Sequence, residues 1–126
     1  MVRCGQCAIQ SAKQQGIEVE VTRYDIGGLD RALADDHARG FVKVLTKPGK
    51  DKILGATIVG ANAGELLAEF VLAMKHGLGL NKILGTIHIY PTMAEANKNA
   101  AGNWKKDHAP QKVLAFLERF HTWRRK

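Results

Sequence analysis

An α+β fold is predicted, a small antiparallel sheet covered by helices. Three observations predict it. Apolar and polar residues alternate over residues 17–24 (IEVEVTRY), the period of a half-buried strand. Two further apolar runs, residues 41–46 and 53–60, flank a Pro48-Gly49 pair, the pattern of a hairpin. Beyond them, Leu66, Leu67, Phe70, Val71 and Met74 recur at helical spacing, which makes one buried stripe.

The elements follow in order. Residues 8–16 (AIQSAKQQG) read as a short helix of good helix formers stopped by Gly16. The first strand, residues 17–24, is expected to bury Ile17, Val19 and Val21 on one face. Residues 25–28 form a turn, and residues 29–37 a loop or short helix. Residues 41–46 and 53–60 pair through the 47–52 turn. The second of these runs is apolar on both faces, so packing is expected on each side. Residues 60–64 lead tightly into the long helix, in whose first turns Glu65 and Glu69 suit the helix dipole. Gly77 and Gly79 end that helix, and residues 80–84 form a short one. Thr92 and Glu95 have the spacing of a capping box for a helix running to about Trp104. After His108-Ala109-Pro110, a last helix is expected with Val113, Leu114, Phe116, Leu117, Phe120 and Trp123 at helical spacing.

Composition bounds the function. The chain has 126 residues, 45% hydrophobic and 25% charged, the size and make-up of one globular domain. No apolar run approaches ~18 residues, so no transmembrane helix and no membrane partner are expected. The first residues lack the apolar core of a signal peptide, so the cytoplasm is the default location. The net charge is +7. Residues 105–126 hold seven bases and two acids, so five of those seven charges sit in the tail. Such a tail is either a solvated helix end or a surface for anions. Cys4 and Cys7 form a C-x-x-C. No second cysteine pair accompanies it, and only a stub precedes it, so neither a zinc site nor a thioredoxin-like site is expected. Phosphate-binding loops, His-Glu-x-x-His and Gly-x-Ser-x-Gly are all absent.

The residues that could carry chemistry are His88, Tyr90 and Glu95, around Pro91-Thr92. They bring titratable groups to a turn that opens a helix. An aromatic-Pro bond can be cis, and the turn would aim Tyr90 outward. By spacing alone, Glu95 could equally do no more than close the capping box.

The run His88-x-Tyr90-Pro91-Thr92-x-x-Glu95 resembles the His-x-His-Pro-Thr-x-x-Glu signature of the class I pyridine nucleotide-disulfide oxidoreductases. The likeness is to their C-terminal dimerisation domain, the FAD/NAD-linked reductase dimerisation fold. That family includes dihydrolipoamide dehydrogenase, glutathione reductase and mercuric reductase. Residues 40–44, 53–60 and 63–67 resemble its central hairpin and the start of its long helix, and residues 2–5 a shortened first strand. The resemblance covers about residues 2–104. It implies a dimerisation domain over residues 1–104, and beyond it the charge count and apolar spacing predict a basic helical extension over residues 105–126.

The resemblance implies an obligatory homodimer in which the signature reaches into the partner subunit's site. Tyr90 and Glu95, with His88 nearby, would complete that site in a whole flavoprotein. FAD and NAD(P)H are expected in the complete enzyme and not in this chain. Leu66, Phe70 and Met74 are expected to be shared between core and interface. Tyr90 stands where the signature has its catalytic histidine, as in the mercuric-reductase-like branch. A tyrosine, with an ordinary pKa near ~10, is a poor proton shuttle at neutral pH but a good hydrogen-bonding group. The chain ends Thr122-Trp123-Arg124-Arg125-Lys126, without the cysteine pair of mercuric reductases, so a different electron acceptor is expected.

Two other readings stand beside this one. The chain could be a stand-alone interaction module whose basic tail binds nucleic acid or an acidic protein, although no nucleic-acid motif is present. It could also be a truncated copy that pairs with full-length flavoprotein subunits, which a symmetric interface permits.

Overall fold

The computed structural model describes residues 14–109, together with Gln10 and Ala12. The C-x-x-C at Cys4 and Cys7, the shortened strand at residues 2–5, the predicted last helix and most of the basic tail lie outside the described residues. Gln10, Ala12 and Gln14 have helical backbone, and Gly16 follows at φ +65°, as a helix stop requires.

The fold is α+β. Strands β1 (Glu20–Asp25), β2 (Phe41–Thr46) and β3 (Ile53–Val59) form one antiparallel sheet in the order β1-β2-β3. A single 3-10 turn, Ile26–Gly28, leads to helix α1 (Asp30–Ala34) between β1 and β2. Helices α2 (Ala63–Lys75), α3 (Leu80–Leu84) and α4 (Glu95–Asp107) follow the sheet. Helix α2 packs against β3, and α4 packs against β1 and α3. No helix among the described residues is long and apolar enough to cross a membrane.

Strand β1 departs from its predicted facing. Val21 is 47% exposed and Ile17 is exposed as well, whereas Thr22 is buried and Tyr24 packs against the core. The register explains this, because Thr22 pairs with Val44 and Tyr24 with Val42, two fully buried residues of β2, the strand that α4 also packs against. Helix α4 meets that face with polar side chains. Asn99 Nδ2 donates to Tyr24 Oη at 3.1 Å and Asn103 Nδ2 donates to the Arg23 carbonyl at 3.0 Å. Polar residues on both elements satisfy each other, so the alternation rule picks the wrong face.

The core gathers Ile26, Val42, Val44, Ala56, Phe70, Leu80, Ile83, Ala100 and Trp104. In α2 the buried residues are Leu66, Phe70 and Ala73, with Leu67 and Met74 packed at the margin. Val71 and Leu72 are exposed. The predicted sharing of Leu66 and Phe70 with an interface is therefore corrected, because both are consumed by this domain's own core. Leu54 and Val59 are exposed too, so β3 is not covered along both faces.

Gly40 marks a close approach. It has φ +134°, and a Cβ there would strike the Val59 carbonyl on the neighbouring strand. Only glycine fits that crossing.

Candidate functional site: the Tyr90 turn

The turn is built from its flanks inward. It begins where α3 is fixed to the sheet hairpin. Asp51 accepts from Asn81 N at 3.2 Å and from Asn81 Nδ2 at 2.9 Å, and its own carbonyl accepts from Leu80 N at 2.9 Å. A carboxylate 30 positions away thus caps a helix that has no capping side chain of its own. At the other end of α3, Thr86 Oγ1 donates to the Lys82 carbonyl at 2.8 Å.

His88 then turns inward. Its side chain is only 5% exposed. Nδ1 lies 2.9 Å from the Thr86 carbonyl and Nε2 lies 2.9 Å from Glu69 Oε1 on α2. The carbonyl and the carboxylate are both acceptors, and a neutral imidazole has one N–H to give. The two contacts are simultaneous hydrogen bonds only when one further proton is shared between the ring and Glu69. The second oxygen of Glu69 accepts from Asn97 Nδ2 at 2.8 Å. Asn97 is fully buried on α4, and the same amide also donates to the Leu66 carbonyl at 2.9 Å. One carboxylate therefore ties α2, α4 and the turn together.

The neighbours of His88 face outward. Ile87 is 91% exposed, Ile89 75% and Tyr90 66%. The Tyr90-Pro91 peptide is cis. Thr92 Oγ1 donates to the Ile89 carbonyl at 2.6 Å, and Thr92 N donates to Glu95 Oε2 at 3.4 Å. The second bond is half of the expected capping box.

The predicted residues are near in sequence, but each has a different partner. His88 goes to Glu69, Glu95 to the Thr92 backbone, and Tyr90 Oη donates to Asp30 Oδ2 at 2.9 Å. No hydrogen bond among the described residues joins any two of the three. Hydrogen bonding to Asp30 and its negative charge, with a smaller push from Glu95, raise the Tyr90 phenol above its ordinary value of 10.0. Neutral phenol is then the form present near pH 7. Sequence reading missed Glu69 as an anchor, assigning it to the helix dipole, and it missed Asn97 and Asp30 altogether.

Among the described residues no group of three His, Cys, Asp or Glu side chains could hold a metal ion. A surface cleft of about 530 Å³ is lined by Gly16, Ile17, Glu18, Val19 and Pro48 and shares no residue with the Tyr90 turn. What the turn offers chemically is a rigid, partly apolar projection with one phenol hydroxyl.

Comparison with known proteins places this arrangement. The family model for the pyridine nucleotide-disulphide oxidoreductase dimerisation domain matches residues 7–101. The chain is 41% identical over 92 residues to a mitochondrial dihydrolipoyl dehydrogenase of Dictyostelium discoideum, covering 73% of this chain and 19% of that protein. It is 35% identical over 125 residues to a leghemoglobin reductase of Glycine max, covering 91% of this chain and 24% of that protein. The chain thus spans about a fifth to a quarter of the length of these relatives. Among solved structures, the HOCl-induced flavoprotein disulfide reductase RclA of Escherichia coli, as its Cu(II) complex, superimposes with a TM-score of 0.68 at 20% identity. That match covers 74% of this chain and 21% of the reductase. LpdA of Mycobacterium tuberculosis gives a TM-score of 0.67 at 19% identity, covering 74% of this chain and 20% of that one. These two likenesses concern the fold.

Proposed function

The chain belongs to the pyridine nucleotide-disulphide oxidoreductase dimerisation-domain family, and on that premise we propose that it pairs two subunits of a flavin-dependent disulfide oxidoreductase through the Tyr90 turn. One observation carries the reading. Ile87, Ile89 and Tyr90 are exposed in succession around a buried His88. Apolar side chains held out on a pinned turn are the mark of a partner-contact surface. In the complete enzyme Tyr90 meets the partner subunit's site, with Glu95 and His88 holding the turn that presents it. FAD and NAD(P)H are bound by the rest of that enzyme, so the contribution of this domain is association and the phenol.

A neutral phenol is a hydrogen-bonding group and not a proton shuttle at pH 7. Tyr90 therefore orients or stabilises a group in the partner's site, while proton transfer falls to other residues.

Light scattering across a dilution series of the 126-residue chain tests the reading. A dimer that persists to low micromolar concentration is expected. The double variant Ile87→Asp/Ile89→Asp should be monomeric with an unchanged circular dichroism spectrum. A wild-type chain that is monomeric throughout, or a variant that still dimerises, would show that this turn does not carry the association.

A further inference from the structure

Tyr90 is paired with Asp30, which lies 60 positions earlier on a separate element. We propose that Asp30 is the positioning residue for Tyr90: its carboxylate accepts the phenol's hydrogen bond and so fixes the phenol's orientation. The proposal rests on the reading above, that Tyr90 is presented to a partner subunit.

The geometry supports it from both sides. A tyrosine that is 66% exposed has little packing to select one rotamer, so a hydrogen bond must do so. The bond present is charge-assisted, at 2.9 Å, and such bonds are roughly twice as strong as neutral ones. Asp30 is well placed to aim it. Leu29 and Ala32 on either side of it are buried in the core, as is Ile26 at the start of the preceding 3-10 turn. The carboxylate therefore projects from backbone whose flanking side chains are anchored in the core. Among the described residues no cation lies within ion-pair distance of Asp30, whereas the nearby Arg31 is engaged with Asp35 at 2.6 Å. The Asp30 oxygen is thus available to the phenol.

Glu95, the other acid that acts on Tyr90, is hydrogen-bonded to the Thr92 backbone. It affects the phenol only through its charge. The carboxylate partner of the aromatic group is therefore supplied by α1 and not by the helix that follows the turn.

A consequence concerns what Tyr90 can meet. With its hydrogen directed at Asp30, the phenol oxygen presents its lone pairs outward. The group that approaches it from a partner subunit is a hydrogen-bond donor.

The test is a pH titration of the 126-residue chain labelled with 13C at tyrosine Cζ. The sequence has two tyrosines, so Tyr90→Phe assigns the signals, and circular dichroism at each pH confirms the fold. The Tyr90 midpoint is expected above that of free tyrosine. Asp30→Asn should bring it down, and Glu95→Gln should lower it by less. An unchanged midpoint in Asp30→Asn, or a larger effect from Glu95→Gln, overturns the proposal. Should Asp30→Asn fail to fold, the wild-type midpoint decides, and an ordinary value overturns it. The titration needs no dimer, so its failure is distinguishable from failure of the association reading, which the dilution series reports.

Discussion

His88 Nε2 and Glu69 Oε1 lie 2.9 Å apart across the junction of the turn with α2. Through the same carboxylate, buried Asn97 joins α4 to that junction at 2.8 Å. The turn is thus held from inside while its apolar residues face out. Glu69→Ala removes an acceptor from two groups at once and leaves the Asn97 amide short of a partner. Leaving a buried polar group unpaired costs about 1–3 kcal/mol. Urea unfolding should show a loss in that range, and amide exchange should quicken over residues 86–92. A loss near that of an exposed ion pair, under about 0.5 kcal/mol, would mean the carboxylate does not hold the turn.

Asp51 and Gly79 form a second coupled pair. A Cβ on residue 79 would collide with the Asp51 carboxylate, which caps α3 through Asn81. In Gly79→Ala the carboxylate must swing away and the cap is lost, at about 0.5–2 kcal/mol. Asp51→Ala loses the same cap directly. The double variant should cost little more than either single one, because both remove one interaction. Additive losses in thermal or urea unfolding would refute the shared cap.

Much of the fold was legible because it is written in local periodicity. The hairpin around Pro48-Gly49, the short helix at Leu80–Leu84 and the long helix α2 all appear where apolar spacing and glycine stops place them. The Tyr90 turn was legible through its motif and the Pro91-Thr92 pair. What was not legible is pairing at long range. Glu69 with His88, Asn97 with Glu69 and Asp30 with Tyr90 are separated by 19, 28 and 60 positions, and no local pattern encodes them. Glu69 was visible only as a good residue for the early turns of a helix. The facing of β1 failed for a related reason. Thr22 and Tyr24 are amphipathic, and their burial is decided by Asn99 and Asn103 arriving from α4.

That facing is itself testable. Val21 is exposed, so Val21→Thr should change stability by less than about 0.5 kcal/mol, the usual range for surface positions. Thr22 is buried opposite Val44, so Thr22→Asp places an unpaired charge inside and should cost more than about 2 kcal/mol. Comparing the two midpoints in urea decides it, and the reverse ranking would restore the facing that alternation predicts.

The Tyr90 phenol also ties stability to alkaline pH. Its pKa is raised in the folded chain above 10.0, first by the hydrogen bond to Asp30 and then by that residue's charge. The folded state therefore keeps the phenol's proton more tightly than the unfolded state does. The resulting stability is fully present below pH 10.0 and is lost as pH rises through the folded value. Because Tyr90 is largely exposed, solvent screens the effect and the slope is shallow. Melting temperatures of wild type and Tyr90→Phe, measured from pH 8 to pH 11, should diverge below pH 10.0 and converge above it. Wild type should be the more stable at the lower end. Parallel curves across the whole range would mean that the phenol gains nothing from Asp30 on folding.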